Sequence, residues 1–426
     1  MNKKDYTLGL HWMRHDLRVE DNEALSALTH KCDKVAVVYI FNPSWLKDNH
    51  YGHCHLGKHR HAFIDKSLVD VKEQLAHHNL SLIMLEGEPL TVLTDLLESA
   101  PFDCLSCETH YGYHEREQVS SLKARFSKLA FVSGMSNYLL VHENLPFPLD
   151  EMPNVFSPFR RKVEKNLSLR HVSANLDKSV RDAAKDVSLT HLSTYEPMLI
   201  SKESDYSGGQ SAGQQRIDDY FFKTDNIANY KETRNGLDGW TFSSRLSAYL
   251  ANGCVSPAYI IKELKAYETQ RVQNDSTYWL FFELLWREFF HLQSKKHGAL
   301  FFQYGGIQQN PPANSFNATS FKQWKNGETP YPIVNACMHQ LAATGFMSNR
   351  GRQLVASCFV HELQQDWRYG AAYFEEMLID FDVASNYGNW QYLAGVGSDP
   401  RGHRQFNLEK QTDIYDPKRA FIKAWT

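Results

Sequence analysis

The chain has 426 residues, of which 42% are hydrophobic and 13% aromatic, so it is long and apolar enough to form two or three packed domains. A net charge of −3 excludes a bulk attraction to nucleic acid, and any DNA contact must come from a local basic surface. Seven scattered cysteines do not predict a disulfide framework, and no apolar stretch reaches membrane-spanning length. We therefore expect a cytoplasmic protein without a membrane contact, and a monomer.

The first 144 residues alternate short apolar runs with helical patterns. Three apolar runs predict β-strands, at residues 8–12, 35–41 and 80–85. Helical spacing of apolar side chains predicts helices over 64–75 and 90–97. Because strands that alternate with helices form parallel sheets, we expect residues 1–144 to be an α/β domain. No glycine-rich phosphate-binding motif follows the first run, so ordinary dinucleotide-binding and P-loop proteins are not supported.

The pattern changes twice after residue 144. Residues 145–213 hold five prolines and a Gly-Gly pair, which predicts a long connector with little regular structure. Residues 214–426 are rich in helical and aromatic patterns, and the stretch 276–291 is apolar on nearly every side, as in a buried helix. The predicted fold class is therefore α/β plus all-α, with a parallel-sheet domain joined by the connector to a helical domain.

An unusual run of polar side chains lies near the C-terminus. Asp380, Asp382 and Asn386 alternate with apolar residues in a segment that also carries Trp390. Buried polar groups need hydrogen-bonding partners, and a polar, planar cofactor would supply them. The run therefore indicates a binding site for such a cofactor.

Three further segments each admit two interpretations. Residues 243–247 read Ser-Ser-Arg-Leu-Ser before a helical stretch that ends at Gly253, which fits a helix with a serine N-cap or a pyrophosphate site. Glu283 either forms a helical pair with Arg287, four residues on, or borders a polar cavity. Residues 349–352 read Asn-Arg-Gly-Arg, which fits a solvated helix start or a substrate contact.

Two groups of potential metal ligands are interpreted as structural. Cys104 and Cys107 form a single C-x-x-C pair without a second pair. A histidine-rich stretch lacks a matching set of carboxylates or cysteines, and it comprises His50, His53, His55, His59 and His61. We therefore predict no metal site.

Segment 386–401 resembles the flavin-binding segment of the photolyase/cryptochrome family. It reads Asn-Tyr-Gly-Asn-Trp-Gln-Tyr and then Gly-Val-Gly-Ser-Asp-Pro-Arg, which is closest to the DASH-type cryptochromes. Residues 12–25 resemble the N-terminal Arg-x-Asp-Leu-Arg signature of the same family. The resemblance implies that residues 1–144 form the antenna domain and that residues 214–426 bind FAD.

The resemblance also implies cofactor roles for individual residues. Arg352 is implied to pair with Asp380 beside the flavin ring, and Asp382 to hydrogen-bond the ring edge. Asn386 is implied to face flavin N5, where an uncharged amide favours the fully reduced state. The residues implied to bind FAD on its phosphate side are Tyr230, Ser243, Ser244, Arg245, Leu246 and Ser247.

Substrate and electron-transfer roles follow from the same resemblance. The residues implied to surround a cyclobutane pyrimidine dimer are Glu283, Asn349, Trp286, Arg350, Gln353 and Tyr392. An electron relay from the surface to the flavin is implied for three tryptophans, Trp324, Trp367 and Trp390. Gln353 and Tyr392 stand where duplex-acting photolyases often have Met and Trp, which implies a preference for single-stranded DNA.

The antenna site departs from the family pattern. Methenyltetrahydrofolate is typically bound by a glutamate at the position of Gly112, and glycine offers the pterin no side chain. Glu115 is near enough in sequence to compensate. The identity of a second chromophore therefore stays open.

The predicted function is that of a DASH-type, FAD-dependent blue-light photoreceptor and deoxyribodipyrimidine photolyase. The predicted partner is single-stranded DNA that contains pyrimidine dimers, repaired by electron transfer from photoexcited reduced FAD. The alternative is a sensory cryptochrome that signals through a partner protein without repair. A flavoenzyme without photochemistry is a third class, and the sequence has no recognisable nicotinamide site to support it.

Overall fold

A parallel β-sheet organises the first part of the chain in this computed structural model, which describes residues 4–198, 206–399, 401 and 404–426. Its strands are β1 (Tyr6–Met13), β2 (Cys32–Phe41), β3 (Leu82–Glu86), β4 (Cys104–Glu108), β5 (Ala130–Gly134), β6 (Arg181–Asp182) and β7 (Ser193–Thr194). Their order is β5-β4-β1-β2-β3-β7, and β6 pairs with β2. The first five strands are mutually parallel, whereas β7 is antiparallel to β3.

Helices surround the sheet and form the second domain. Those in the described residues are α1 (Glu23–Lys31), α2 (Lys58–Ala76), α3 (Pro89–Ser99), α4 (Tyr113–Arg125), α5 (Phe156–Lys165), α6 (Gln210–Asp218), α7 (Tyr230–Thr233), α8 (Ser247–Ala251), α9 (Pro257–Gln270), α10 (Asp275–His297), α11 (Ala318–Asn326), α12 (Pro332–Thr344), α13 (Asn349–Ser357), α14 (Trp367–Met377), α15 (Val383–Ala394), α16 (Leu408–Tyr415) and α17 (Ala420–Trp425). None of these helices combines the length and the apolarity that crossing a bilayer requires.

Strand β2 separates two apolar cores because successive side chains of a strand point to opposite faces. Val35 and Val37 belong to one core, and Ala36 and Val38 to the other. The first of these cores continues without interruption into the helical domain, where it includes Leu285 of α10. The two domains therefore share a hydrophobic core.

The order of the strands places a switch point at the carboxyl ends of β1 and β4. From β1 the chain proceeds to β2 and β3 on one side, and it then returns to β4 on the other side of β1. At such a switch point the loops after the two neighbouring strands diverge and leave a place where ligands bind in open α/β sheets. The loops after β1 and β4 carry His15 and His110, respectively.

A buried carboxylate joins α10 to the segment that follows β5. Glu288 is fully buried and accepts hydrogen bonds from the backbone N–H of Leu139 at 2.9 Å and from His142 Nε2 at 2.7 Å. Burial alone would raise the pKa of Glu288, but His142 and the Leu139 N–H lower it below its ordinary value. An ionised carboxylate thus fixes the helical domain against the α/β domain.

The sequence-based elements are largely confirmed. The three predicted strands correspond to β1, β2 and β3, and the predicted helices to α2, α3 and α10. Strands β4 and β5 escaped prediction because each has five residues and includes polar or small side chains. The connector contributes β6 and β7 to the sheet, and its residues 199–205 lie outside the described residues. Of the two interpretations of residues 243–247, the serine N-cap is not found, since α8 begins at Ser247 and its N-cap residue is Leu246.

Candidate active site

A cavity of about 510 Å³ opens in the helical domain between α8, α10, α13 and the start of α15. An adjoining space of about 100 Å³ shares lining residues with it, among them Arg352 and Asp382. Most residues assigned from the sequence line one or both spaces: Tyr230, Ser243, Ser244, Arg245, Leu246, Ser247, Glu283, Trp286, Asn349, Arg352, Gln353, Asp380, Asp382, Asn386, Trp390 and Tyr392.

An ion pair lies where the two spaces meet. Arg352 donates from Nη2 to both carboxylate oxygens of Asp380, at 2.9 and 2.8 Å. Its Nε donates to the carbonyl oxygen of Met347 at 2.8 Å. The side chain of Asp380 is 2% exposed and that of Arg352 is 25% exposed. The ion pair predicted from the resemblance therefore forms, and it fixes the positively charged guanidinium of Arg352 on the cavity wall.

Asp382 is a second carboxylate of the cavity wall and the N-cap residue of α15. It accepts a hydrogen bond from the backbone N–H of Ser385 at 2.7 Å, and it lies 2.9 Å from His291 Nε2 and 4.0 Å from Arg287 Nη2. Burial alone would raise the pKa of Asp382, but His291, Arg287 and Ser385 bring that pKa well below its ordinary value. Asp382 is therefore an ionised hydrogen-bond acceptor at neutral pH.

Asn386 lies one turn further along α15 and is oriented by α14. Its Nδ2 donates to the carbonyl oxygen of Ala371 at 3.0 Å, and the side chain is buried. This bond uses one of the two N–H groups of the amide, and the side chain lines the smaller space. The site thus combines an uncharged amide with the fixed charges of Arg352 and Asp382.

The segment before α8 has an unusual backbone. Arg245 adopts a φ of 53°, which few residues other than glycine adopt. Its guanidinium donates to the carbonyl oxygen of Gly239 at 3.1 Å and lies 4.7 Å above the ring of Trp240. Residues in such conformations cluster at ligand clamps, and Ser243 and Ser247 line the same cavity. This geometry favours the ligand-binding interpretation of residues 243–247.

Glu283 borders the cavity and does not pair with Arg287. Its Oε1 accepts a hydrogen bond from Trp279 Nε1 at 3.1 Å and lies 2.8 Å from Arg234 Nη1. Arg287 instead donates to the carbonyl oxygen of Asn137 at 2.8 Å. Burial raises the pKa of Glu283, and Arg234 opposes this increase only in part. The helical-pair interpretation is therefore wrong, and Glu283 borders the polar cavity instead.

Aromatic and amide side chains complete the wider part of the cavity. Trp286 stacks on Phe156 with ring centroids 3.7 Å apart, and it meets the edge of Tyr392 at 6.0 Å. Asn349 and Gln353 lie one turn apart on α13 and also line the cavity. Flat rings beside amides suit a ligand with planar, hydrogen-bonding groups.

Arg350 lies outside the cavity. Its Nη2 donates to Asn235 Oδ1 at 3.1 Å, and its guanidinium lies 4.6 Å from the ring centroid of Tyr415. Consecutive helical residues point about 100° apart, so Arg350 and Asn349 face different directions at the start of α13. The structure therefore does not bring Arg350 to the proposed substrate position.

The three tryptophans are all buried, with exposed fractions of 2% for Trp390, 1% for Trp367 and 0% for Trp324. Trp390 lines the smaller space, and Trp324 contacts it with ring centroids 6.2 Å apart. The indole N–H of Trp324 donates to the carbonyl oxygen of Val355 at 2.9 Å within a separate apolar cluster of the helical domain. None of the three side chains is exposed to solvent, and their role in an electron relay stays a prediction.

Sequence reasoning assigned no site role to three residues that hold the predicted ones in place. Arg234 approaches Glu283, and both Arg287 and His291 approach Asp382. A usable signal was present in α10, where polar residues recur at intervals of four, at Glu283, Arg287 and His291, within a mostly apolar stretch. Such a stripe lies on one face of the helix and indicates a polar cavity beside it.

The antenna position is occupied by a local cluster. Glu115 Oε1 lies 3.1 Å from His15 Nε2, and Glu115 Oε2 lies 3.6 Å from His110 Nδ1. A Cβ atom at Gly112 would overlap the Glu115 carboxylate. The carboxylate that was expected to compensate for Gly112 is thus already engaged with two histidines.

The remaining metal-ligand types are separated. The side chains of Cys104 and Cys107 lie on opposite faces of the sheet, so they cannot bind the same metal ion. Among the described residues of the histidine-rich stretch, His53 pairs with Glu376 at 2.6 Å and His55 pairs with Glu375 at 2.7 Å. These side chains stabilise the contact with α14.

Family models match both domains. Residues 279–426 match the FAD-binding domain of DNA photolyase, and residues 9–178 match DNA photolyase. The chain is 47% identical to a cryptochrome DASH of Idiomarina loihiensis, over 99% of this chain and 93% of the relative. It is 44% identical to a cryptochrome DASH of Vibrio parahaemolyticus, over 100% of this chain and 94% of that relative.

Solved structures agree with these relatives. A crystal structure of a Synechocystis cryptochrome superposes with a TM-score of 0.92 at 35% identity, covering 100% of this chain and 89% of the other. A class III photolyase from Agrobacterium tumefaciens superposes with a TM-score of 0.82 at 26% identity, covering 100% of this chain and 87% of the other. The predicted family, fold class and FAD-binding domain are confirmed. The chain belongs to the photolyase/cryptochrome family and, within it, to the cryptochrome DASH proteins.

Proposed function

We propose that the protein repairs cyclobutane pyrimidine dimers in single-stranded DNA by light-driven electron transfer from reduced FAD. The observation that carries the proposal is the shared cavity. Its charged groups, Arg352, Asp380 and Asp382, adjoin a wider part lined by Glu283 and Trp286. A cofactor and a substrate held there would be in direct contact, as electron transfer without a bridging protein group requires.

The lining fits FAD in size and in chemistry. The larger space alone, about 510 Å³, lies within the roughly 300–1,000 Å³ of ligand pockets. Hydroxyl groups and Arg245 suit the pyrophosphate, whereas Arg352, Asp382 and Asn386 suit the hydrogen-bonding edge of the ring. Bound in its reduced state, FAD supplies the electron that light promotes to the dimer.

The chain's own charges favour an electron-rich ring. Asn386 adds no negative charge next to the ring, and its amide can donate and accept hydrogen bonds. Arg352 provides a fixed positive charge, since Asp380 holds its Nη2 from the other side. Both groups support a reduced, anionic cofactor as the resting electron donor.

The wider part of the cavity supplies recognition of the dimer. Glu283 has a raised pKa, and its protonated form donates a hydrogen bond to a pyrimidine carbonyl on which negative charge develops. Trp286 and Tyr392 provide faces against which two joined bases can pack. Asn349 and Gln353 offer amides for the remaining polar edges.

A basic helix beside the cavity suits the backbone of single-stranded DNA. The guanidinium of Arg160 on α5 lies 5.4 Å from the ring of Phe282, a residue of the cavity wall. Arg161, Lys162 and Lys165 of the same helix are exposed. A dimer must leave the base stack to enter the cavity, and this costs less free energy in a single strand than in a duplex.

The proposal is tested by illuminating the FAD-reduced protein with a dimer-containing single-stranded oligonucleotide and measuring restored pyrimidine absorbance. We expect repair of the single strand, and slower repair of the same dimer in a duplex. If the dimers persist while light still reduces the oxidised flavin normally, repair is contradicted. The sensory function would then be the remaining candidate. Equal rates on both DNA forms would contradict the strand preference alone.

A further inference from the structure

Three metal-ligand side chains converge at the switch point of the sheet, away from the cavity. His15 follows β1, His110 follows β4 and Glu115 lies in the first turn of α4. Their ligand atoms lie within 4.8 Å of one another, and no other set of three His, Cys, Asp or Glu residues in the described part of the chain does so. The convergence follows from the topology, because β1 and β4 are adjacent parallel strands whose ends point the same way.

The distances within this cluster suit a shared cation. Two ligands that each bind a zinc-type ion at about 2.1 Å with tetrahedral angles lie about 3.4 Å apart. The observed separations are 3.1 Å from His15 Nε2 to Glu115 Oε1 and 3.6 Å from His110 Nδ1 to Glu115 Oε2. The imidazole rings lie side by side with centroids 4.5 Å apart and planes inclined by 26°. An ion could therefore enter with small side-chain rotations.

Gly112 makes this arrangement possible. A Cβ atom at this position would overlap the Glu115 carboxylate and lie 2.9 Å from His110 Nδ1. Any larger residue would displace the carboxylate from between the histidines. The glycine that removes a side chain from the antenna position thus opens the space in which the three ligands meet.

The cluster can also be held by hydrogen bonds alone. The backbone N–H of Gly112 donates to His110 Nδ1 at 3.0 Å, which places the lone pair of that ring on Nδ1. A metal ion would replace this hydrogen bond with a bond to the same lone pair. Arg14, which donates to the carbonyl oxygens of Glu108 at 2.9 Å and Glu115 at 3.3 Å, keeps the local charge near zero. A nearly neutral site would select a metal ion by the affinity of that ion for imidazole nitrogen and not by its charge.

We propose that His15, His110 and Glu115 form a binding site for a divalent first-row transition metal of the Zn²⁺ type. Two imidazole nitrogens and one carboxylate suit Zn²⁺, Ni²⁺ or Co²⁺, whereas Ca²⁺ and Mg²⁺ prefer oxygen ligands. The side chains are 42%, 11% and 22% exposed for His15, His110 and Glu115, so an ion has access and a fourth position stays open to water. The ion would clamp the loops after β1 and β4 together.

The test uses the full-length, FAD-containing protein after removal of metals with a chelator. Co²⁺ is titrated and followed by its visible absorption at wavelengths longer than those of oxidised flavin, and Zn²⁺ is titrated by calorimetry. The variants are His110→Ala, which removes a ligand, and Gly112→Ala, which displaces Glu115. The matched control is His114→Ala, since His114 is an exposed neighbour on α4.

We expect one ion per chain in the unmodified protein and in His114→Ala. In His110→Ala and in Gly112→Ala we expect affinity to fall at least tenfold, because each variant loses a ligand or its placement. Unchanged flavin content and circular dichroism show that the variants are folded. The proposal is overturned if the unmodified protein binds neither ion at micromolar concentrations. It is also overturned if His110→Ala binds as tightly as His114→Ala.

Discussion

Glu283 offers the sharpest test of how the cavity recognises a dimer. In Glu283→Ala the hydrogen-bond donor is lost, whereas Glu283→Gln keeps a donor of similar size and loses the titratable group. A neutral hydrogen bond contributes about 0.5–1.5 kcal/mol and one to a charged group about 1.5–3 kcal/mol. Because 1.4 kcal/mol corresponds to about a factor of ten, we expect Glu283→Ala to bind dimer-containing single strands about tenfold more weakly.

The same residue predicts a pH dependence. Burial raises the pKa of Glu283, so its neutral, donating form persists above the ordinary range of a carboxyl group. As pH rises through this raised value the donor is lost, and the affinity of the unmodified protein for the dimer should fall. Glu283→Gln should stay within about threefold of the unmodified affinity and show no such fall, since its amide does not titrate.

The assay is fluorescence anisotropy with a labelled single-stranded oligonucleotide, with and without one dimer, measured in the dark. Undamaged oligonucleotide serves as the control, because its affinity should be equal in all three proteins. Flavin absorbance verifies that each variant retains its cofactor. Equal dimer affinity of Glu283→Ala and the unmodified protein would refute the assigned role, and equal losses in both variants would refute the donor argument.

Three further outcomes are expected. Asp380→Asn removes the charge that holds Arg352, so the dissociation constant of FAD should rise at least tenfold in equilibrium dialysis. An unchanged dissociation constant would contradict the role of the ion pair. Trp390→Phe should slow light-driven reduction of the oxidised flavin at least tenfold, as followed by flavin absorbance during illumination, and it should leave repair by chemically reduced protein intact. Equal slowing of both reactions would point to a structural defect. Arg161→Ala and Lys165→Ala should each lower the slope of log affinity against log salt for single strands by about 0.7, and an unchanged slope would place the DNA elsewhere.

Motifs predicted the site better than they predicted its surroundings. The pair of Arg352 with Asp380 could be assigned from the resemblance because both residues lie in recognisable segments. Arg234 could not, since no motif surrounds it and its approach to Glu283 depends on how α7 packs against α10. Single residues outside motifs are positioned by tertiary packing, which sequence spacing does not encode.

Trp324 shows that a matched residue type leaves the exposure of the side chain undetermined. Sequence identifies an indole but not whether its helix turns that indole inward. In the structure the buried face of α11 carries Trp324 into an apolar cluster of the helical domain that also includes Val355. Exposure depends on the orientation of the whole helix, which the residue type alone does not determine.

The core that continues from the sheet into the helical domain couples folding to function at a distance. Val37 of β2 and Leu285 of α10 belong to one continuous apolar cluster. A ligand that binds only the folded protein stabilises the entire cooperative unit, and the same linkage operates in reverse. A void created in this apolar cluster beside β2 would therefore weaken FAD binding, although it contacts no residue of the cavity. Tolerance to substitution in the α/β domain is consequently set in part by how tightly the helical domain holds its cofactor.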